Sequence, residues 1–359
     1  MTAFTSVPAL SVPGGSARKQ LFSVMFEGYK RAPGVLAVLL LSAMFLGGLA
    51  LLVEAQGLLL HLLAVPMVAL AMILALYLSH DCAHLLVFRN HKSNIVLGEV
   101  LSLINGLAYS SFDEYRRDHI RHHADKVDLI GVDMNKFLQT MPRWLSWTLL
   151  SLEKVYIPGC FYAIKFQTIV SGLKGSHRER MRVLFCLACY SALFFVLSTA
   201  SVVSLALLFV ASFIRIHVAR FVDAFQHSYE QVEPDTDTPI RYSKTYELHN
   251  TYSVPVARKW TWLNYLILNF GYHGTHHALP SCPWYLLPVL EREILKLNGV
   301  EPAALLENRP EFSFANLLAA YHRRRVDRLL AEHEGTPYDE QGLFSFEHFT
   351  GAYTDKLLG

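Results

Sequence analysis

The chain alternates between long apolar runs and mixed polar stretches, and the long runs come in two pairs. They cover residues 34–53, 58–79, 183–199 and 202–222. Each is close to the roughly 20 residues a helix needs to cross the hydrocarbon core of a bilayer. Only Glu54, Ala55, Gln56 and Gly57 separate the first two runs, and a few small residues around Ser201 separate the second two. Links that short predict two helical hairpins. Residues 95–107 are apolar but contain Asn105 and Gly106, which predicts a re-entrant or interfacial piece. Residues 144–164 form an amphipathic stretch suited to lying along the membrane surface. Residues 260–270 are another short, interfacial piece, and 313–334 read as a helix with Arg323, Arg324 and Arg325 on its solvated side.

The basic residues set an orientation. No Lys or Arg occurs between Arg31 and Arg89, or between Arg182 and Arg215. Both hairpin tips therefore lack positive charge, which predicts that they lie outside while both termini and the middle segment lie in the cytoplasm. The expected fold is an all-α integral membrane protein, with four transmembrane helices in two hairpins beneath a cytoplasmic helical cap. One domain is expected over residues 21–359, after a flexible tail at 1–20 that carries Pro8, Pro13, Gly14 and Gly15. No apolar stretch with a small-residue cleavage site falls near the start, so no signal peptide is expected.

Composition agrees: 52% of the 359 residues are hydrophobic and 17% are charged, against about a quarter charged in soluble domains. A formal net charge of +2 gives no reason to expect a nucleic-acid partner. Five scattered cysteines do not make a disulfide framework. The Cys186-x-x-Cys189 pair sits inside an apolar run and reads as small buried hydrophobes.

Seventeen histidines are present, and their placement changes the picture. Three clusters stand out: His80-Asp-Cys-Ala-His84 at the end of the second apolar run, His119-Ile-Arg-His122-His123, and His273-Gly-Thr-His276-His277. On a helix, positions four apart share a face, so His80 and His84 suit one metal. In each HxxHH the first two histidines are about a turn apart, and the third is expected to point toward a second metal. Imidazole suits iron, zinc, copper and nickel. Eight histidines are too many for one four-coordinate site, whereas two metals with about four ligands each fit. A histidine-lined transporter is disfavoured, because the clusters lie at one side and not at the bilayer midplane.

The HxxxH, HxxHH, HxxHH pattern resembles the membrane fatty acid desaturase and hydroxylase superfamily over residues 58–287. The continuation Ala278-Leu279-Pro280-Ser281-Cys282-Pro283-Trp284-Tyr285 is similar to its bacterial branch. The resemblance implies two irons, a non-haem di-iron centre, on His80, His84, His119, His122, His123, His273, His276 and His277. It also implies a further ligand between the second and third boxes. His227, directly after the fourth apolar run, is the first candidate and His249 the rival. His217 is expected as a buried hydrogen-bonding partner. Asp81, Asp118 and Asp223 are placed to accept hydrogen bonds from ligand imidazoles.

The resemblance further implies O2 as co-substrate and a fatty acid, fatty acyl thioester or lipid as substrate. The chain has no haem, dinucleotide or iron–sulfur motif, so electrons are expected from a separate ferredoxin or reductase. Arg116, Arg117 and Arg121 could dock that partner or face lipid headgroups. A bacterial inner membrane is the expected location. Desaturation is the first expectation. Oxidative decarboxylation of free fatty acids to 1-alkenes, known in one bacterial subgroup, is the alternative, with hydroxylation or carotenoid-type oxygenation behind it. Decarboxylation requires a carboxylate held near the irons, with Arg215 and Arg220 as candidate clamps. Arg220 is the residue expected to matter in catalysis, because it shares a helical face with His227.

Overall fold

The computed structural model describes residues 14–55, 57–129, 132, 134–223, 226–227, 229–232, 241–257, 260–299, 326–327, 329–331 and 333–336. Helix α1 (Ser16–Gly28) precedes four helices long and apolar enough to span a bilayer: α2 (Ala32–Glu54), α3 (Leu58–Ala83), α9 (His177–Ala200) and α10 (Val202–Asp223). Each contains one of the four expected runs, extended by a few residues. Helix α1 starts at Ser16, inside the stretch expected as a tail, because Leu21 and Met25 find an apolar partner. The shorter helices are α4 (His91–Asn105), α5 (Phe112–Arg121), α6 (Met134–Gln139), α7 (Arg143–Lys154), α8 (Gly159–Lys174), α11 (Lys244–His249), α12 (His273–Ala278) and α13 (Leu287–Leu297).

Helix α3 is the hub. It packs against α2, α4 and α10, and it is the most buried of the four long helices. Gly48 of α2 permits the close approach, since a Cβ there would stand 2.7 Å from a Val68 methyl. The other long helices turn leucine, phenylalanine and valine outward, including Leu36, Leu39, Leu46, Phe185, Phe195 and Val202. Patches of that extent are unstable against water and suit lipid tails. The protein is an integral membrane protein.

Two expected elements come out differently. The amphipathic stretch at 144–164 is two helices, α7 and α8, broken at Pro158. Proline lacks an N–H and disfavours helix in the residue before it, so the break falls there. The apolar piece at 260–270 is a 3-10 turn, Thr261–Ile267, ending with Leu268 and Asn269 at positive φ. Most of the helix expected at 313–334 lies outside the described residues. Within it Val326, Leu329 and Leu330 pack against Met134, Leu138, Leu150 and Ile164.

The segments that carry histidines are tied by local chemistry. Helix α3 ends with Leu85 at φ 63, and the Leu86 N–H returns to the Asp81 carbonyl at 3.0 Å. Left-handed closures of this kind satisfy the last carbonyls of a helix. Asn94 then clamps the following loop, accepting from the Val87 and Phe88 N–H groups and donating to the Phe88 and Asn90 carbonyls. Helix α5 starts on a reciprocal cap between Ser111 and Glu114. Phe112 sits against Gly98 of α4, where an added Cβ would come within 2.4 Å of its ring.

Candidate metal centre

The second histidine box straddles a change of helix type. Helix α5 runs to Arg121, and His122–Lys126 continues it as a π-helix. Single π turns are rare and often mark functional sites. The chain then enters a short strand, β1 (Asp128–Leu129), which pairs in parallel with β2 (Gln231–Val232) in the register Asp128 to Gln231 and Leu129 to Val232. This pairing brings the segment after α10 beside the second box. His227 makes an antiparallel bridge with Thr251, and the Tyr252 N–H donates to the Gln226 carbonyl at 2.8 Å. The Val254 N–H donates to the Gly271 carbonyl at 2.7 Å. A side chain at Gly271 would strike the Val254 carbonyl at 2.6 Å, so only glycine permits this approach just before His273.

The third box is braced from below. Glu291 of α13 accepts hydrogen bonds from Ser253 at 2.7 Å and Thr275 at 3.1 Å, and the Ser253 hydroxyl accepts from the Gly274 N–H. Helix α13 packs in turn on Leu21 and Met25 of α1. Arg116 of α5 donates through Nε to the Ala83 carbonyl at 3.0 Å, which ties the end of α3 to the second box.

The result is a convergence of nine imidazoles. His80, His84, His119, His123 and His276 present one group of ligand atoms, and His122, His227, His273 and His277 present another. In the first group Nε2 atoms approach at 3.0 Å (His80 to His276), 2.8 Å (His84 to His119), 3.1 Å (His119 to His123) and 3.0 Å (His123 to His276). In the second they approach at 2.7 Å (His227 to His273), 3.2 Å (His122 to His227) and 3.3 Å (His122 to His277). Ligands on one ion at a metal–nitrogen distance of about 2.1 Å stand roughly 3 Å apart when adjacent, which is the spacing found here. A hydrogen-bond network does not explain it, because one Nε2 cannot pair with several others at once. The groups adjoin, with the His123 and His277 rings 4.1 Å apart between centroids.

Each HxxHH divides its histidines in a way that corrects the expectation. The first and third belong together, His119 with His123 and His273 with His277, and the middle histidine crosses to the other group. In α12, with 3.6 residues per turn, i and i+4 diverge by about 40° and i and i+3 by about 60° in the opposite sense. The middle position is therefore the one that swings away.

Burial keeps these rings in the ligand form. It is the main reason that His119, His123, His273, His276 and His277 titrate well below the usual imidazole range, with neighbouring imidazoles adding to it. His84 is pulled down to about 3 by burial, then by Arg116 and His122. His227 is pulled down to about 3 by burial, then by His122.

The hydrogen bonds on the far side of the rings were harder to foresee. His277 Nδ1 donates to Glu247 Oε1 at 3.2 Å, and Lys244 holds the other Glu247 oxygen at 2.6 Å. His122 Nδ1 donates to the Val127 carbonyl at 2.8 Å, with the Asp128 carboxylate at 3.3 Å. Such acceptors fix the tautomer that leaves Nε2 to a metal. Neither Glu247 nor Asp128 was expected. The available signal was a carboxylate two residues before His249 and another five residues after the second box. Of the aspartates expected in this role, Asp81 has an oxygen 3.7 Å from His80 Nδ1 and accepts from the Trp284 N–H at 3.3 Å. The rival ligand His249 has its backbone in α11, and its side chain lies outside the described residues. His217 Nε2 meets the Tyr156 carbonyl at 2.9 Å.

Arg220, expected as a carboxylate clamp, is drawn elsewhere. Its guanidinium meets Glu153 of α7 at 2.9 and 3.5 Å, and both side chains are almost fully buried. Glu153 also accepts the Cys160 N–H at 3.0 Å, so it joins α7, α8 and α10.

A membrane protein that gathers nine histidines into two adjoining metal-sized groups defines a class: a histidine-rich enzyme compatible with a non-haem di-iron site. The model of the fatty acid desaturase family matches residues 56–301, and the chain belongs to that family. No curated protein matches it significantly.

Proposed function

We propose that the protein is an O2-dependent, non-haem di-iron oxidase that introduces a C=C bond into a fatty acyl chain. The convergence of nine Nε2 atoms into groups of five and four carries this reading, in a chain of the fatty acid desaturase family. His80, His84, His119, His123 and His276 would hold one iron, and His122, His227, His273 and His277 the other. When bound, the irons with O2 supply an oxidant strong enough to remove hydrogen from an unactivated C–H bond.

The chain's own groups prepare the site. Glu247 and the Val127 carbonyl keep protons on Nδ1 of His277 and His122, which leaves Nε2 available. Phe270 lies against His80 and His273, at 4.8 and 5.0 Å between ring centroids, and helps to exclude water. Desaturation consumes O2, two electrons and two protons, and releases two waters with the alkene. The electrons come from a separate ferredoxin or reductase. Arg117 is exposed beside the second box and is the candidate contact for that partner, whereas Arg116 and Arg121 are engaged by Ala83 and Asp125. The absence of Lys and Arg from the 54–57 link and from the region around Ser201 supports two hairpins with external tips. Both termini and the centre then lie on the cytoplasmic side of a bacterial inner membrane.

A second reading, oxidative decarboxylation of a free fatty acid to a 1-alkene and CO2, has the same demand for O2 and electrons. It needs a carboxylate near the irons. Glu153 occupies Arg220, while Nε and Nη1 of Arg215, without a hydrogen-bond acceptor among the described residues, favour this reading. The deciding experiment supplies iron-loaded protein with ferredoxin, its reductase, O2, and either palmitic acid or a palmitoyl thioester. Alkenoic products in gas chromatography support desaturation, and terminal alkenes support decarboxylation. An iron-replete protein that oxidises neither compound overturns the assignment.

A further inference from the structure

Helix α10 carries two buried arginines, and they make an internal comparison. Arg220 is 2% exposed and bonded to Glu153. Arg215, on the same helix and 1% exposed, has Nε and Nη1 with no hydrogen-bond acceptor among the described residues. Helix α8 carries a second buried basic group: Lys165 is 6% exposed, and its Nζ also lacks a hydrogen-bond partner among the described residues. The two share one aromatic ring: the Arg215 guanidinium lies 5.3 Å and the Lys165 ammonium 5.4 Å from the Phe161 centroid.

Cation–π contact stabilises a cation by much less than its removal from water costs, so the ring does not offset the burial of both. Among the described residues no carboxylate forms an ion pair with Arg215, whereas Glu153 does so with Arg220. Burial, and then the charge of Arg215, pulls the Lys165 ammonium down to about 7, which an anion between the two would reverse. Two buried basic groups on one ring in an apolar setting call for an anion, and an arginine buried within a membrane-spanning helix such as α10 marks a site.

The setting points to the kind of anion. The Tyr77 hydroxyl is buried with no hydrogen-bond partner among the described residues, and its electrostatic neighbours are Asp223 and then Arg215. Tyr77 lies one turn before His80, and its ring packs on Phe270 at 4.7 Å. Phe270 is the ring that contacts His80 and His273. The cation pair therefore connects to the histidine cluster through two aromatic side chains, inside a protein whose substrate is an acyl chain.

We propose that Arg215 and Lys165 form the receptor for the carboxylate of a free fatty acid, with the Tyr77 hydroxyl available to complete it. Arg215 offers two donors in a planar fork, and Lys165 adds the second charge. This rests on the acyl-chain oxidase reading and adds to it that the accepted head group is a free acid and not an ester.

The test measures binding and turnover separately on full-length, iron-loaded protein in detergent. Palmitic acid and its methyl ester are the probes. The wild type should bind the acid at least about tenfold more tightly than the ester, as expected for charge-assisted hydrogen bonds. Arg215→Gln and Lys165→Met should each remove most of that preference while the affinity for the ester and the iron content stay unchanged. Arg215→Lys should restore part of it. Equal wild-type affinity for acid and ester would overturn the receptor, and this arm needs no variant to fold. Equal losses for both probes in iron-replete variants would also overturn it. The two readings fail separately. Acid-selective binding without oxidation of either probe refutes the oxidase and leaves the receptor standing. Equal oxidation of both refutes the receptor alone.

Discussion

Nε2 of His80 lies 3.0 Å from Nε2 of His276, although 196 residues separate them in the chain. No hydrogen bond between two imidazoles is needed to hold these segments together, because the hub position of α3 and the brace on Glu291 already do so. The contact is what remains when two remote segments are built to meet at one point. The same holds for His227 and His273 at 2.7 Å in the other group.

The division of each HxxHH between two groups predicts selective losses. His122→Ala should empty the four-histidine site first, and His123→Ala the five-histidine site. Each should lower iron from about two per chain toward one and abolish turnover. Iron analysis with Mössbauer spectroscopy checks this. Loss of the same iron signal from both variants would contradict the division.

Glu247 is predicted to act through His277. Glu247→Gln keeps the shape but weakens the acceptor for Nδ1–H, and should lower metal affinity by about 10–100-fold. Competition with a chelator measures this. An unchanged affinity would mean that Glu247 only pairs with Lys244.

Much of this was legible in the sequence, and the rest had physical reasons to stay hidden. The four spans and the eight box histidines are written in local pattern, as apolar runs of bilayer length and histidines three and four apart, whereas His227 was a candidate only through the ninth ligand that the family resemblance implies. The partners Glu247 and Asp128 depend on long-range pairing of β1 with β2 and of His227 with Thr251, which no local pattern encodes. Arg215 and Arg220 look alike in the sequence. Only the fold shows that Glu153, 67 residues before Arg220, reaches one of them.

That pair makes a stability prediction. Removing one partner of a buried ion pair leaves an uncompensated charge and costs about 3–5 kcal/mol. Glu153→Ala should therefore lower the melting temperature markedly, and Arg220→Met in the same chain should recover much of the loss. A double variant no more stable than Glu153→Ala would show that Glu153 matters mainly through Cys160.

Acid should destabilise the metal-free protein in a defined window. The unfolded chain takes up protons on its histidines below about 6.5, while His84 and His227 in the fold resist until about 3. Their contribution is intact above the unfolded value and is lost as pH falls from there toward 3, by up to about 1.4 kcal/mol per pH unit for each such histidine. Melting of metal-free protein between neutral pH and about pH 5 should show the fall, and bound metal should move it to lower pH. A pH-independent melting temperature over that range would contradict buried neutral imidazoles.

The orientation is tested by a reporter after Leu358 and a tag at Ala55. The first should behave as cytoplasmic and the second as external. An external C-terminus would mean that one of the four apolar helices does not cross.

The central claim is the pair of metal sites, and the most direct measurement is the metal content of the purified, active wild-type protein. About two irons per chain, with O2 consumption that requires both reductant and an acyl substrate, is the predicted result. A single tightly bound zinc in active enzyme, or full turnover after His119→Ala or His276→Ala, would contradict it.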